Sequence, residues 1–123
     1  MKRLGIVTAF FVGTKILISN MVFAQLPDSY GAIAITPDGK MWGYSFDYPT
    51  REQAEKRALQ ECGQSTCKIQ VWFKNACGAV AKDQNGKLGW AWADTRQQAE
   101  AAAVAACGNG SCRTETWACT TRY

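Results

Sequence analysis

Thr50-Arg51-Glu52-Gln53-Ala54-Glu55 returns in the same chain as Thr95-Arg96-Gln97-Gln98-Ala99-Glu100. Each copy sets a threonine three residues before a glutamine, the capping-box spacing that satisfies orphan backbone donors where a helix begins. A stripe rich in alanine follows in both copies: Ala54, Ala58, Leu59 and Cys62, then Ala99, Ala103, Val104 and Cys107. Gly63 and Gly108 come directly after the last cysteines, where a left-handed residue closes a helix. The spacing predicts one helix over Thr50–Cys62 and a second over Thr95–Cys107.

The repetition extends outward from these helices. Upstream, Gly31-Ala32-Ile33-Ala34 returns as Gly78-Ala79-Val80-Ala81, and Gly39-Lys40 as Gly86-Lys87. Downstream, Cys67 and Trp72 return as Cys112 and Trp117. Residues 30–76 and 77–123 are therefore two copies of one unit, read as strand, turn, strand, helix, strand. Tyr30 to Ile35 is a strand candidate, Pro37-Asp38-Gly39 supplies turn chemistry, and Met41 to Tyr48 returns. The predicted fold is α+β: two ββαβ repeats with pseudo-twofold symmetry, an antiparallel-rich sheet and two short helices. No turn signal separates Phe73 from Val80, so the third strand is expected to run through Cys77 into the second copy.

The strands have unlike faces. Trp42, Tyr44, Phe46 and Tyr48 alternate with Met41, Gly43, Ser45 and Asp47, and Leu88, Trp90 and Trp92 alternate with Gly89, Ala91 and Ala93. An alanine stripe needs a small-residue partner, so the helices are expected on the glycine and alanine faces. The aromatic faces then meet either the other half or solvent. In the third strand Ile69, Val71 and Phe73 alternate with Lys68, Gln70, Trp72 and Lys74, while Trp117 shares its face with Arg113 and Glu115. Trp42, Tyr44, Trp72, Trp90, Trp92 and Trp117 are the candidate binding residues. Their competing role is to cover the core rim or the contact between repeats, since aromatic rings dominate core burial.

The first 24 residues read as a signal peptide: Lys2 and Arg3 precede an apolar run from Leu4 to Val12, and Met21-Val22-Phe23-Ala24 ends in a cleavage pattern. An uncleaved interfacial anchor is the rival reading. Lys15 interrupts the apolar run, and no stretch of about 20 uncharged apolar residues exists, so stable membrane insertion after cleavage is not expected. No cysteine lies near the cut, which argues against a lipid anchor. Residues 25–123 remain as a single domain. The chain has 14 Lys and Arg against 10 Asp and Glu. Because Lys2, Arg3 and Lys15 lie in the leader, the mature part is near neutral. It offers no electrostatic footprint for nucleic acid.

All 6 cysteines fall in the mature part and the chain has no histidine. An even count in a short exported chain reads as a disulfide framework. Equivalent cysteines around equivalent loops predict Cys62–Cys67 and Cys107–Cys112, leaving Cys77–Cys119 to staple the second copy to the seam. Without C-x-x-C pairs or histidine ligands, neither redox nor zinc chemistry is expected.

Catalytic machinery is equally sparse. Histidine-based nucleophile pairs are excluded. The acids fall in turns (Asp38, Asp83), helix starts (Glu52, Asp94) or helix faces (Glu55, Glu61, Glu100). Asp47 with Asp94 is the remaining carboxylate pair for glycoside chemistry. The expectation is a non-enzyme without cofactor or metal.

Tyr30-Gly31-Ala32-Ile33-Ala34, Trp42-Gly43-Tyr44-Ser45, Cys62-Gly63 and Asn75-Ala76-Cys77-Gly78-Ala79 stand in an order that resembles an exported bacterial family of domains of unknown function, DUF4189. The second half departs from it, with Gly89-Trp90 where the first has Trp42-Gly43. The resemblance implies a small periplasmic or secreted bacterial protein and implies no reaction. Small exported families of this kind accompany secreted toxins as immunity proteins, an analogy that rests on no residue. Two partner classes follow: another exported or envelope protein gripped by aromatic anchors, or a glycan or peptidoglycan fragment laid on tryptophan.

Overall fold

The computed structural model describes residues 27–121. The proposed leader and its cleavage point lie outside the described residues. Within them the order is β1 (Tyr30–Ile35), β2 (Trp42–Tyr48), α1 (Arg51–Cys62), β3 (Lys68–Lys74), β4 (Cys77–Lys82), β5 (Leu88–Ala93), α2 (Arg96–Cys107) and β6 (Arg113–Cys119). This is the α+β arrangement of two ββαβ units expected from the repeat. The sheet is divided in two, however, with three antiparallel strands in each, ordered β2-β1-β3 and β5-β4-β6.

The helix ends follow the sequence chemistry. Thr50 and Thr95 accept hydrogen bonds from the backbone N–H of Gln53 and Gln98, at 3.2 Å in both copies. Gly63 and Gly108 cap the other ends at φ 74° and 91°, a conformation only glycine adopts without steric cost. Ala54, Ala58 and Cys62 are buried from α1, and Ala99, Ala103 and Cys107 from α2. Leu59, read as part of the stripe, is exposed instead. The stripe is narrow because alanine brings the helix so close to the sheet that leucine, one step round, has no room beneath it.

That closeness is set at two glycines. A Cβ on Gly43 would strike the Cys62 backbone nitrogen and lie 2.6 Å from the Ala58 oxygen. On Gly89 it would strike the Cys107 nitrogen and the Ala103 oxygen. Gly43 and Gly89 are thus equivalent, which aligns Trp42 with Leu88, Tyr44 with Trp90 and Phe46 with Trp92.

The sheets stack face to face, β1 across from β4, β2 across from β6 and β3 across from β5, with one helix on each outer face. Ile33, Ile35, Val71, Phe73, Val80 and Ala118 form the core between them. The Phe73 ring lies against both Gly31 and Gly78, where a Cβ on Gly78 would come within 2.5 Å of it. Its counterpart is Ala118: the middle of the sandwich holds one such ring and leaves no space for a second.

Three further sequence expectations need correction. First, β3 does not continue into the second copy. It ends at Lys74, Asn75 takes φ 50°, and the chain steps across to the other sheet at Cys77. Second, strict alternation fails in β3: Val71 pairs with Ile33 and Ile69 with Ala34, so Gln70 is an extra residue. This bulge turns Ile69 to the helix side, against Ala32, Ala34 and Cys62, away from Val71 and Phe73. Third, Thr116 pairs with Val80 and Thr114 with Ala81, so Glu115 is extra in β6. Glu115 therefore turns to meet Lys82 at 3.3 Å and does not share the Trp117 face. A bulge alters twist and facing in just this way.

Cys62 is bonded to Cys67, Cys107 to Cys112 and Cys77 to Cys119. The first two tie each helix end to the strand after it. The third joins directly paired residues of β4 and β6.

Candidate binding surface

The two-sheet sandwich has two long open sides, and the large aromatic residues of β2 and β5 line one each. On the first side Trp42, Tyr44 and Phe46 form a ladder with ring centroids 6.1 and 6.3 Å apart and interplanar angles of 29° and 15°. These rings face β6 across a groove of about 500 Å³ that also touches Glu115 and Thr116. On the second side Trp90 and Trp92 face β3 across a groove of about 540 Å³ bordered by Gln70, Phe73 and Lys74. Trp90 is 47 % and Trp92 61 % exposed, and neither makes a ring contact or a side-chain hydrogen bond among the described residues. The aromatic faces therefore do both things the sequence allowed: they look toward the other half, and they meet solvent.

Trp72 and Trp117 stand apart from these rows. Trp72 stacks on Tyr30 at 6.3 Å, on the helix side of its sheet, with the Arg51 guanidinium 4.4 Å from its ring centre. Trp117 carries Arg96 at 3.8 Å in the same way. Both arginines also pair with a glutamate one turn on, Arg51 with Glu55 at 2.9 Å and Arg96 with Glu100 at 3.0 Å. The six candidates thus separate into edge rows (Trp42 and Tyr44; Trp90 and Trp92) and two tryptophans covered by arginine. Phe46 belongs to the first row, and its place was legible in the alternation of β2.

A model of the family described as Domain of unknown function (DUF4189) matches residues 30–119. The chain belongs to the DUF4189 family. Similar proteins include Protein Rv1269c of Mycobacterium tuberculosis, 48 % identical over 66 residues that make up 54 % of this chain and 52 % of that protein. Another is the uncharacterized protein Rv1813c of the same organism, 37 % identical over 70 residues, 55 % of this chain and 48 % of the relative. The chain spans about half the length of the curated relatives it matches. The NMR structure of Rv1813c superimposes with a TM-score of 0.58 at 37 % identity, over 74 % of each chain.

In this DUF4189 chain Asp47, Asp83 and Asp38 hold the fold's own donors. Asp47 adopts φ 64°, beside a register shift in β2. Its carboxylate accepts from the Ser29 hydroxyl at 2.7 Å and from the Thr121 N–H and hydroxyl at 2.9 and 2.8 Å. Burial works to raise its pKa, but these three hydrogen bonds outweigh burial and hold it below the usual carboxylate value. Asp83 is lowered first by the Asn109 side chain and then by the Lys87 N–H. Asp38 is lowered by the Lys40 N–H and the Thr36 hydroxyl. Each closes a turn or joins two segments.

Among the described residues no group of three or more His, Cys, Asp or Glu is placed to hold a metal. No helix there is long and apolar enough to cross a membrane. The three disulfides suit an environment outside the reducing cytoplasm.

Proposed function

We propose that this protein is a non-catalytic binding module, exported to the periplasm or beyond, whose partner is another exported or envelope protein. An inhibitor or immunity protein acting on an enzyme in that compartment is the form this takes. The observation that carries the reading is the pair of aromatic rows left open along both sides of a stapled frame. Tryptophan and tyrosine anchors are what protein interfaces concentrate their energy in, and a frame held by three disulfides loses little freedom when it docks. The near-neutral mature charge and the acids committed to turns and termini agree with a binding rather than a catalytic role.

One observation favours a second reading. The near-parallel Trp42-Tyr44-Phe46 ladder is a flat apolar strip of the kind on which sugar rings stack, so a glycan or peptidoglycan fragment is the alternative ligand.

The deciding experiment offers the mature protein to envelope extract and, separately, to purified peptidoglycan. Retention of a defined protein that weakens in Trp42→Ala or Trp92→Ala supports the proposal. Retention on peptidoglycan alone, weakened by the same changes, supports the second reading. Intact mass of the exported product tests the location: loss of Met1 to Ala24 is expected, and a membrane-retained precursor would contradict it.

A further inference from the structure

The sandwich has four edge strands, β2, β3, β5 and β6, and three of them are blunted. β2 carries a register shift near Asp47, β3 the Gln70 bulge with Lys68 and Lys74, and β6 the Glu115 bulge with Arg113. Bulges and charged residues are how natural sheets prevent further strand pairing at an edge. β5 has neither. It pairs with β4 without a break from Cys77↔Ala93 to Lys82↔Leu88, and its sequence, Leu88-Gly89-Trp90-Ala91-Trp92-Ala93, holds no charge. Its element contacts are β4 on one side, α2 over the outer face and β3 across the groove. The opposite edge, with its row of backbone donors and acceptors, is uncovered by any described element.

The groove beside that edge has a definite polarity. It continues past Gln70 and Trp90 toward Lys68 and Leu88, so a lysine borders each end, Lys68 at one and Lys74 at the other. No carboxylate lines either stretch. Lys74 forms a surface ion pair with Asp28 at 3.8 Å, with both side chains half exposed and so open to exchange for another carboxylate, and Asp94 follows the end of β5. The opposite groove differs, since Glu115 stands in it. Two copies joined edge to edge through β5 would bring their Lys68 and Lys74 side chains together, so the charge disfavours a self-pair.

We infer that the free edge of β5 takes up an extended, acidic segment of a partner protein as an added strand of its sheet. Alternate side chains of that segment lie on Trp90 and Trp92, and its carboxylates meet Lys68 and Lys74. Six residues of β5 offer about 20 Å of edge. Main-chain pairing supplies affinity and the side-chain pockets supply selectivity. This rests on the protein-binding reading and names the site and mode for it.

The test titrates the isotopically labelled mature protein with a blocked octapeptide of alternating Glu and Val. Its Lys-Val counterpart and an alternately N-methylated Glu-Val version serve as controls. Amide shifts concentrated at 88–93 are expected, with affinity at least about tenfold weaker for both controls and for Trp92→Ala. The Lys68→Glu, Lys74→Glu double variant should prefer the lysine peptide; both changes are on the surface, and unshifted α1 and α2 amides report an intact fold. Shifts centred on Trp42 to Phe46, equal affinity for the controls, no binding at millimolar peptide, or self-association through 88–93 would each overturn the inference. The protein-binding reading survives those results if capture from envelope extract still depends on Trp42, and falls with it if that capture is absent.

Discussion

The Arg96 guanidinium lies 3.8 Å from the centre of the Trp117 ring, and Arg51 repeats the arrangement over Trp72. An arginine in the first turn faces the positive end of its helix, which is unfavourable. The ring beneath and the glutamate one turn on offset that cost in both copies. Trp72 and Trp117 thereby clamp each helix start to the last strand of its unit. Trp117→Ala should lower stability by about 2 kcal/mol. Trp92→Ala, whose ring is mostly exposed, should stay within about 0.5 kcal/mol. Urea unfolding of the two variants checks the contrast, and equal losses would contradict it.

Gly89→Ala should be among the costliest single changes. Its methyl group would meet the α2 backbone at Cys107 and Ala103, which cannot retreat without pulling the Cys107–Cys112 bridge. A loss of about 3 kcal/mol is expected. Gly110→Ala, with nothing within 4 Å of the added carbon, should change stability by less than about 0.5 kcal/mol. Thermal melts of both variants provide the comparison.

The disulfides are unequal in the loops they close. Cys77 and Cys119 are 42 residues apart, against 5 for each of the other pairs. Chain-closure entropy gives about 4 kcal/mol for the long loop and about 2 for a short one. The Cys77→Ser, Cys119→Ser double variant should therefore unfold at markedly lower denaturant than Cys62→Ser, Cys67→Ser. The reverse order in guanidinium melts would refute this.

Acid should weaken the fold in a defined direction. Asp38, Asp47 and Asp83 all have folded-state pKa values below the ordinary 3.8. The stability each contributes is fully present above the unfolded value and is lost as pH falls through the lower folded value. Stability should be level from neutrality down to about pH 5, then decline. Asp47→Asn should flatten part of that decline, as followed by circular dichroism.

Much of the fold was legible because the duplication stated it twice. Both helix caps, the turns at Gly39 and Gly86 and the succession of strands and helix along each unit follow from local residue chemistry. What escaped depends on partners distant in sequence. Gln70 and Glu115 look like ordinary members of an alternating strand. They become bulges only against β1 and β4, and with them Ile69 and Glu115 change sides. Asn75 carries no glycine or proline to announce a step between sheets; its left-handed backbone is held by Ser29, whose carbonyl accepts from the Asn75 N–H at 2.8 Å. The candidate tryptophans stand out in the sequence as a class, but their division into edge rows and arginine-covered rings is a property of the stacked sheets. Alternation within one strand cannot express it.

One carboxylate, Asp47, accepts hydrogen bonds from Ser29 and from Thr121, so the two extremities of the folded body meet at a single point on β2. Closing the chain there with a short linker, and opening it instead in the exposed turn at Pro37-Asp38, would give a circular permutant with every strand intact. Cargo fused at either extremity would emerge from that same pole, where Cys119, Cys77 and Ala93 stand side by side in one sheet.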